Sequence, residues 1–340
     1  MKKLRVLALM HEGLVPPENV EGFDLATVEW KTEYDVTTTL REMGHEVKAL
    51  GVHDDLGVIR NAIEEWKPHI AFNLLEEFKG LAGYDQNVVS YLELLGLPYT
   101  GCNPRGLILT RDKAWSKKML SYHRILCPEF EVFPFGRAVK WTNKISFPVI
   151  VKSKSEEASF GISQASIVND VERLKERVEF VHQSIKTSAI AERYIEGREL
   201  YVGVLGNRRL LVLPVWELVM DKLPDDSHRV ATARVKWSVK YQKKYKITSG
   251  EAKGLSKSMV DTIQRLAKRA YRILGLNGYA RLDFRLDPNG KLYFLEANPN
   301  AQIAFGEDLA ESAEHAGISY ETLLQKVLNL GLQWKPQFLL

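Results

Sequence analysis

Residues 279–300 read YARLDFRLDPNGKLYFLEANPN. Two apolar and aromatic runs, ARLDFRL and KLYFLEA, flank Asp287-Pro288-Asn289-Gly290. Proline presets φ and Asn-Gly tolerates positive φ, so the segment predicts a β-hairpin. With residues 288 and 289 as the loop, 287 faces 290, 283 faces 294 and 281 faces 296. Side chains alternate between faces, which sends Arg281, Asp283, Glu296 and Asn298 to one side of the sheet. Two carboxylates and an amide oxygen suit a hard cation such as Mg²⁺, which takes few protein ligands and completes its shell with water and substrate phosphates. An arginine beside them can steady charge developing on an oxygen. The same alternation also suits a solvated sheet face with a surface salt bridge, and a one-residue bulge would change the pairing arithmetic.

At 340 residues the chain can bury a substantial core and divide into two or three lobes. Its 45% hydrophobic content, without low-complexity blocks or repeats, is that of an ordinary globular protein. A net charge of +4 favours acidic small molecules only weakly, and no aromatic-interleaved basic stripe points to nucleic acid. Cys102 and Cys127 lack metal-ligand spacing, and so few cysteines suggest a reducing compartment, with the cytoplasm expected. Met1-Lys2-Lys3-LRVLALM mimics a leader, but the apolar run is short and His11-Glu12 interrupts it. No stretch has the length to cross a bilayer, so no membrane partner is expected.

Strand-like 4–10, EVKALGV and HIAFNLL alternate with helix-like 29–43, 56–66 and 86–95, the pattern of a parallel sheet covered on both faces. Ligand groups in such sheets gather beyond the strand carboxyl ends, here His11-Glu12 and Asn73 to Glu77. Thr110 to Tyr122 reads as an amphipathic helix capped by Thr110. Lys113 in its first turn is disfavoured unless an anion lies nearby. In FPVIVKSKSEEASFGIS, Lys152 closes a buried strand before a loop of small residues, 153–161, a candidate phosphate clamp without the P-loop pattern. SAIAERYIEG then leads into RELYVGVLGN, read as another hairpin. There Ile195 could offer a purine an apolar slot and Glu199 could hold ribose hydroxyls, although a surface hairpin with charged rims fits the spacing equally. The basic span 224–257 reads as a solvated loop or a cover over a site. Helices over 256–274 and 320–330 complete the chain.

In order, LPYTG with a following DK, FPVIVK with its small-residue loop, ERYIEGRELYVGVLGN, ARLDF and LEANPN resemble the ATP-grasp superfamily, most closely the D-alanine–D-alanine ligases. The resemblance covers nearly the whole chain. It implies an N-terminal doubly wound parallel-sheet α/β domain (1–105), then a two-lobed α+β ATP-grasp fold with a central lobe (106–188) and a C-terminal lobe bearing the metal site (189–340). It implies a carboxylate–amine ligase that converts ATP to ADP through an acyl phosphate, with Mg²⁺ or in its place Mn²⁺. Carried over, Lys113 and Lys152 match lysines that touch the phosphates. Glu192, Arg193 and Ile195 match the adenine-holding segment and Glu199 the ribose-binding acid. Lys240 matches the phosphate-contacting lysine of a mobile loop. Asp283, Glu296 and Asn298 match the metal ligands, and Arg281 the arginine that stabilises the tetrahedral intermediate. A homodimer is expected by analogy alone.

The substrate end departs from the ligase pattern. His11-Glu12-Gly13-Leu14 replaces a glycine-serine-acid loop, and Asn73-Leu74-Leu75-Glu76 replaces a histidine-glycine turn. Glu157-Ala158-Ser159 replaces glycine-serine-serine, and Pro299-Asn300-Ala301-Gln302 replaces threonine-serine-proline-glycine. Glu12, Glu76, Ser159 and Asn300 are therefore the candidate contacts to amino-acid-like substrates. A non-catalytic ATP-binding sensor or assembly protein, and a kinase without an amine step, are the alternatives on the same fold.

Overall fold

The computed structural model describes residues 3–156, 159–224 and 227–336. Glu157 and Ala158 of the small-residue loop lie outside the described residues. RVLALMH is apolar at every inner position and forms strand β1 (Arg5–His11), buried on both faces. Helix α1 (Lys31–Glu42), β2 (Glu46–Val52), α2 (Gly57–Trp66), β3 (Ile70–Asn73) and α3 (Asp85–Leu94) follow. The strands make a parallel sheet in the order β2-β1-β3, as the alternation predicts.

The helix expected over 110–122 is two helices, α4 (Pro104–Arg111) and α5 (Lys113–Tyr122). Thr110 is not a cap; its hydroxyl bonds back to the Gly106 carbonyl. Asn103 caps α4, where Pro104 takes the first position, and Asp112 caps α5 by accepting from the N–H groups of Ala114 and Trp115.

Strands β4 (Phe130–Phe133), β5 (Val149–Ser153), β6 (Ile167–Val168) and, after helix α6 (Val171–Phe180), β7 (Ala189–Arg193) form a second sheet in the order β4-β7-β5-β6. A third contains β8 (Arg198–Leu205), β9 (Leu211–Val219), β10 (Thr248–Glu251), β11 (Tyr279–Leu286) and β12 (Leu292–Pro299), in the order β10-β9-β8-β11-β12. β7 and β8 are thus not the hairpin the sequence suggested, because each pairs within a different sheet and Tyr194–Gly197 crosses between the two. The basic span holds two short helices, α7 (Ala233–Trp237) and α8 (Val239–Tyr245), besides β10. Helix α9 (Lys257–Ile273) packs its apolar stripe on β8, β9 and β11. Helices α10 (Asp308–His315) and α11 (Tyr320–Gln333) follow, and α11 packs against α1 and β3. One core therefore joins Val6, Ile70 and Phe72 of the first sheet to Leu205, Tyr279, Leu309 and Val327.

The β11–β12 hairpin forms, with a different register. Asp287 N donates to Lys291 O, so the loop holds three residues and places Gly290 at φ +79°. Phe284 consequently faces Phe294. A bulge beyond that pair leaves Leu295 without a partner, so Asp283 faces Glu296 and Arg281 faces Asn298. Two single-residue shifts restore the parity, and the four polar side chains stay on one face.

Helix α1 buries Glu33, whose Oε2 accepts no hydrogen bond. Burial, with Glu76 adding repulsion, pushes its carboxyl from 4.5 up to about 7. A folded value above the unfolded one stabilises fully below pH 4.5, and that contribution is lost as pH rises through about 7. Denaturant titration of Glu33→Gln should show the variant gaining roughly 2–3 kcal/mol on the wild type between pH 5 and pH 8. A pH-independent difference would contradict this.

Candidate active site

Antiparallel pairing of β11 with β12 brings Asp283 opposite Glu296. Arg281 grips Asp283 through two N–H···O bonds of 2.8 and 2.9 Å, and Asn298 Nδ2 donates to Asp283 Oδ2 at 3.0 Å. The guanidinium lies over the Tyr201 ring, 4.3 Å from its centre, and its Nη1 is 3.6 Å from Asp308 Oδ2. Both facing carboxylates are in a desolvated site, but their surroundings differ. Burial pushes Asp283 up to about 6 against the opposing pull of Arg281. In Glu296 burial acts the same way, yet Lys113, Lys152, Lys236 and Lys117 outweigh it and hold the carboxyl down at about 2. Glu296 is therefore ionised at neutral pH and offers oxygen to a hard cation, as Asp283 and the Asn298 amide oxygen can.

The lysines come from three elements. Lys113 opens α5, where a cation opposes the helix dipole, and its Nζ lies 3.7 Å from Glu296 Oε2 while donating to the Glu156 carbonyl. The anion its position called for is Glu296. Lys152 on β5 lies 3.3 Å from Glu192 Oε2. Burial disfavours its charge, but Glu192 and Glu296 prevail and raise it. Glu192 is buried between Lys152 and Lys117, and its Oε1 accepts no hydrogen bond. That oxygen is instead 3.4 Å from Lys117 Nζ, an ion pair without a directed hydrogen bond.

Lys240 is exposed on α8 and is not brought to these carboxylates. Lys236, one helix earlier, acts electrostatically on both Asp283 and Glu296. Ile195 is buried in the crossing between sheets. Arg193 turns its side chain to Glu129 at 2.6 Å and to the Tyr293 hydroxyl at 3.1 Å. Glu199 accepts from Tyr201 Oη at 2.9 Å and pairs with Arg285 at 2.8 Å.

Of the substrate candidates, Ser159 is buried at φ +60°. Glu12 lies 3.9 Å from His53, and Glu77 3.5 Å from His11, so the strand carboxyl ends do gather polar groups. Glu76 is exposed beside Glu33. Asn300 is committed elsewhere: its Oδ1 accepts from Cys102 N at 2.7 Å, tying the end of β12 to the chain entering α4. Sequence reading missed Lys117, Lys236, Tyr201, Arg285 and Asp308. The alternation along β8 and β11 puts Tyr201 and Arg285 on the face of Asp283, the i, i+4 spacing puts Lys117 on the face of Lys113, and Lys236 lies in the basic span; nothing in the sequence signals Asp308.

Residues 129–329 match the family model for the D-ala D-ala ligase C-terminus. A D-alanine–D-alanine ligase of Aquifex aeolicus is 30% identical over 303 residues, 88% of this chain and 94% of that protein. An uncharacterized protein of Sinorhizobium fredii, y4sG, is 29% identical over 87% of this chain and 85% of its own length. Among solved structures, the D-alanine–D-alanine ligase of Bacillus anthracis complexed with ATP superposes with a TM-score of 0.73, covering 97% of this chain and 98% of that one at 22% identity. The VanG D-Ala:D-Ser ligase of Enterococcus faecalis gives 0.70, covering 97% of this chain and all of that one at 19% identity. These likenesses give the architecture, an ATP-grasp fold.

Asn300→Ala should destabilise the protein by about 1–3 kcal/mol, because it strands the Cys102 N–H. Chemical denaturation with nucleotide affinity measured alongside checks it, with affinity expected to be unchanged. Unaltered stability would show that this tie carries nothing.

Proposed function

The chain belongs to the D-alanine–D-alanine ligase family, and from that premise we propose that it is an ATP-dependent, ADP-forming carboxylate–amine ligase acting on amino-acid-like substrates. The observation that carries the reading is the concentration of Lys113, Lys117, Lys152 and Lys236 around Glu296, whose facing carboxylate, Asp283, is already held by Arg281. Four ammonium groups on so few acids leave a cleft whose positive field an incoming polyphosphate would complete.

In this reading residues 1–105 precede a central lobe, 106–188, and a C-terminal lobe, 189–340, and the nucleotide lies between the second and third sheets. The Tyr194–Gly197 crossing, with Ile195 as apolar wall, takes the purine, with Glu192 and Arg193 in the strand leading into it. Glu199, whose oxygens retain lone pairs beyond those used by Tyr201 and Arg285, takes the ribose hydroxyls. Lys113 and Lys152 meet the phosphates, with Lys236 rather than Lys240 contributing from the basic span. Asp283, Glu296 and Asn298 would hold Mg²⁺, which supplies charge neutralisation and alignment of the phosphates when bound. Arg281, fixed by Asp283 and the Tyr201 ring, is placed to stabilise the oxyanion when an amine adds to the activated carboxyl. The segments around 153–161 and 224–250 would exclude water from the acyl phosphate until that amine arrives. The departures at residues 11–14, 73–76, 157–159 and 299–302 fall where the resembled ligases recognise the amino and carboxylate ends of their substrates, so the proposal extends to the reaction class.

Asp283→Asn and Glu296→Gln should each abolish Mg²⁺-dependent ADP release, by about 10²-fold or more, with circular dichroism unchanged. Retained turnover would remove the metal assignment. Ile195→Asp should weaken ATP binding at least about tenfold in calorimetry, since a carboxylate would be desolvated against the purine. Unchanged affinity would place the base elsewhere.

A further inference from the structure

We propose that Lys117 is a positioning residue of the nucleotide site: it shares the Glu192 carboxylate with Lys152, so that Lys152 keeps positive charge for the phosphates. The inference rests on the nucleotide reading above. Lys117 lies one turn after Lys113 on the same face of α5, and its side chain has no solvent access. Its Nζ donates to the Leu295 carbonyl and lies 3.4 Å from Glu192 Oε1 and 5.8 Å from the centre of the Phe294 ring. Leu295 is the residue the bulge leaves unpaired in β12, immediately before Glu296. One ammonium therefore joins β7 of the second sheet to β12 of the third, at the two strands that carry Glu192 and Glu296.

The charge balance gives this contact a consequence. Glu192 lies between two ammonium groups, at 3.4 Å from Lys117 and 3.3 Å from Lys152, so the triad carries one net positive charge. Burial holds the Lys117 ammonium below the usual lysine range, with Glu192 pulling the other way, so the 3.4 Å contact to Glu192 is what supports its charge. Without Lys117, Glu192 and Lys152 would close into a neutral buried pair, and the phosphates would lose the cation they meet. A contact that merely held the strands together would serve every ligand of the cleft alike, whereas this one acts on phosphate-bearing ligands.

The test measures Mg²⁺–ATP and adenosine affinities of the full chain, by calorimetry and competition, for wild type, Lys117→Met and Lys117→Gln. Glutamine keeps a donor for Leu295 O and removes the charge. ATP affinity should fall about tenfold or more in both variants while adenosine affinity stays within about threefold. Equal losses for ATP and adenosine would reduce Lys117 to a structural tie and overturn the proposal, as would unchanged ATP affinity. Recovery in Lys117→Gln alone would assign the role to the Leu295 bond and also overturn it. If methionine prevents folding, the glutamine variant decides by the same comparison. Failure of the wild type to bind ATP would instead overturn the nucleotide reading itself.

Discussion

Leu295 has no partner across the β11–β12 ladder, and the placement of the site follows from that bulge. On its far side Asp283 meets Glu296 and Arg281 meets Asn298; on its near side Phe284 packs edge-on against Phe294 inside the core. Without the extra residue, the polar row of one strand would oppose the apolar row of the other, and each carboxylate would lack its facing ligand. The bulge also re-aims a carbonyl, which Lys117 takes up. One irregular residue thus sets both the cation-binding face and its tie to the neighbouring sheet.

Around this frame the structure accepts a costly arrangement. Each buried ion forfeits several kcal/mol of hydration, and attraction in the interior offsets this only where partners are close and well directed. Asp283 and Glu199 meet that standard with arginine and a second donor each. Glu192 and Glu296 meet it less well, because their lysines stand at 3.3 to 3.7 Å and Glu192 Oε1 has no directed donor. Under-satisfied charge in a cleft is what an incoming ligand can complete, and sites of this kind concentrate where binding and chemistry occur.

Much of this was legible in the sequence, for identifiable reasons. Turn residues at 287–290 and strict alternation on either side fix a hairpin and the shared face of four polar residues. Its register was not legible, since the turn closes with three residues rather than two and a bulge is a response to packing that leaves no local mark. The supposed hairpin at 193–198 failed because Glu-Gly-Arg has turn chemistry whichever sheet the next strand joins, and the partners of β7 lie far away in sequence. In the basic span, composition cannot say which lysine turns inward; the short helices bring Lys236 to the carboxylates and leave Lys240 exposed. Asn300 looked like a substrate contact by position, but its amide completes a buried N–H of the chain itself.

The most direct test of the central claim is ADP release from Mg²⁺–ATP across D- and L-amino acids, singly and in pairs, with mass spectrometry of the products. Hydroxylamine in place of the amine would trap any acyl phosphate. A hydroxamate from one carboxylate, and an amide or peptide accumulating in step with ADP once an amine is added, is the result a carboxylate–amine ligase requires. ATP bound tightly, with neither ADP, hydroxamate nor amide formed from any carboxylate, would contradict it.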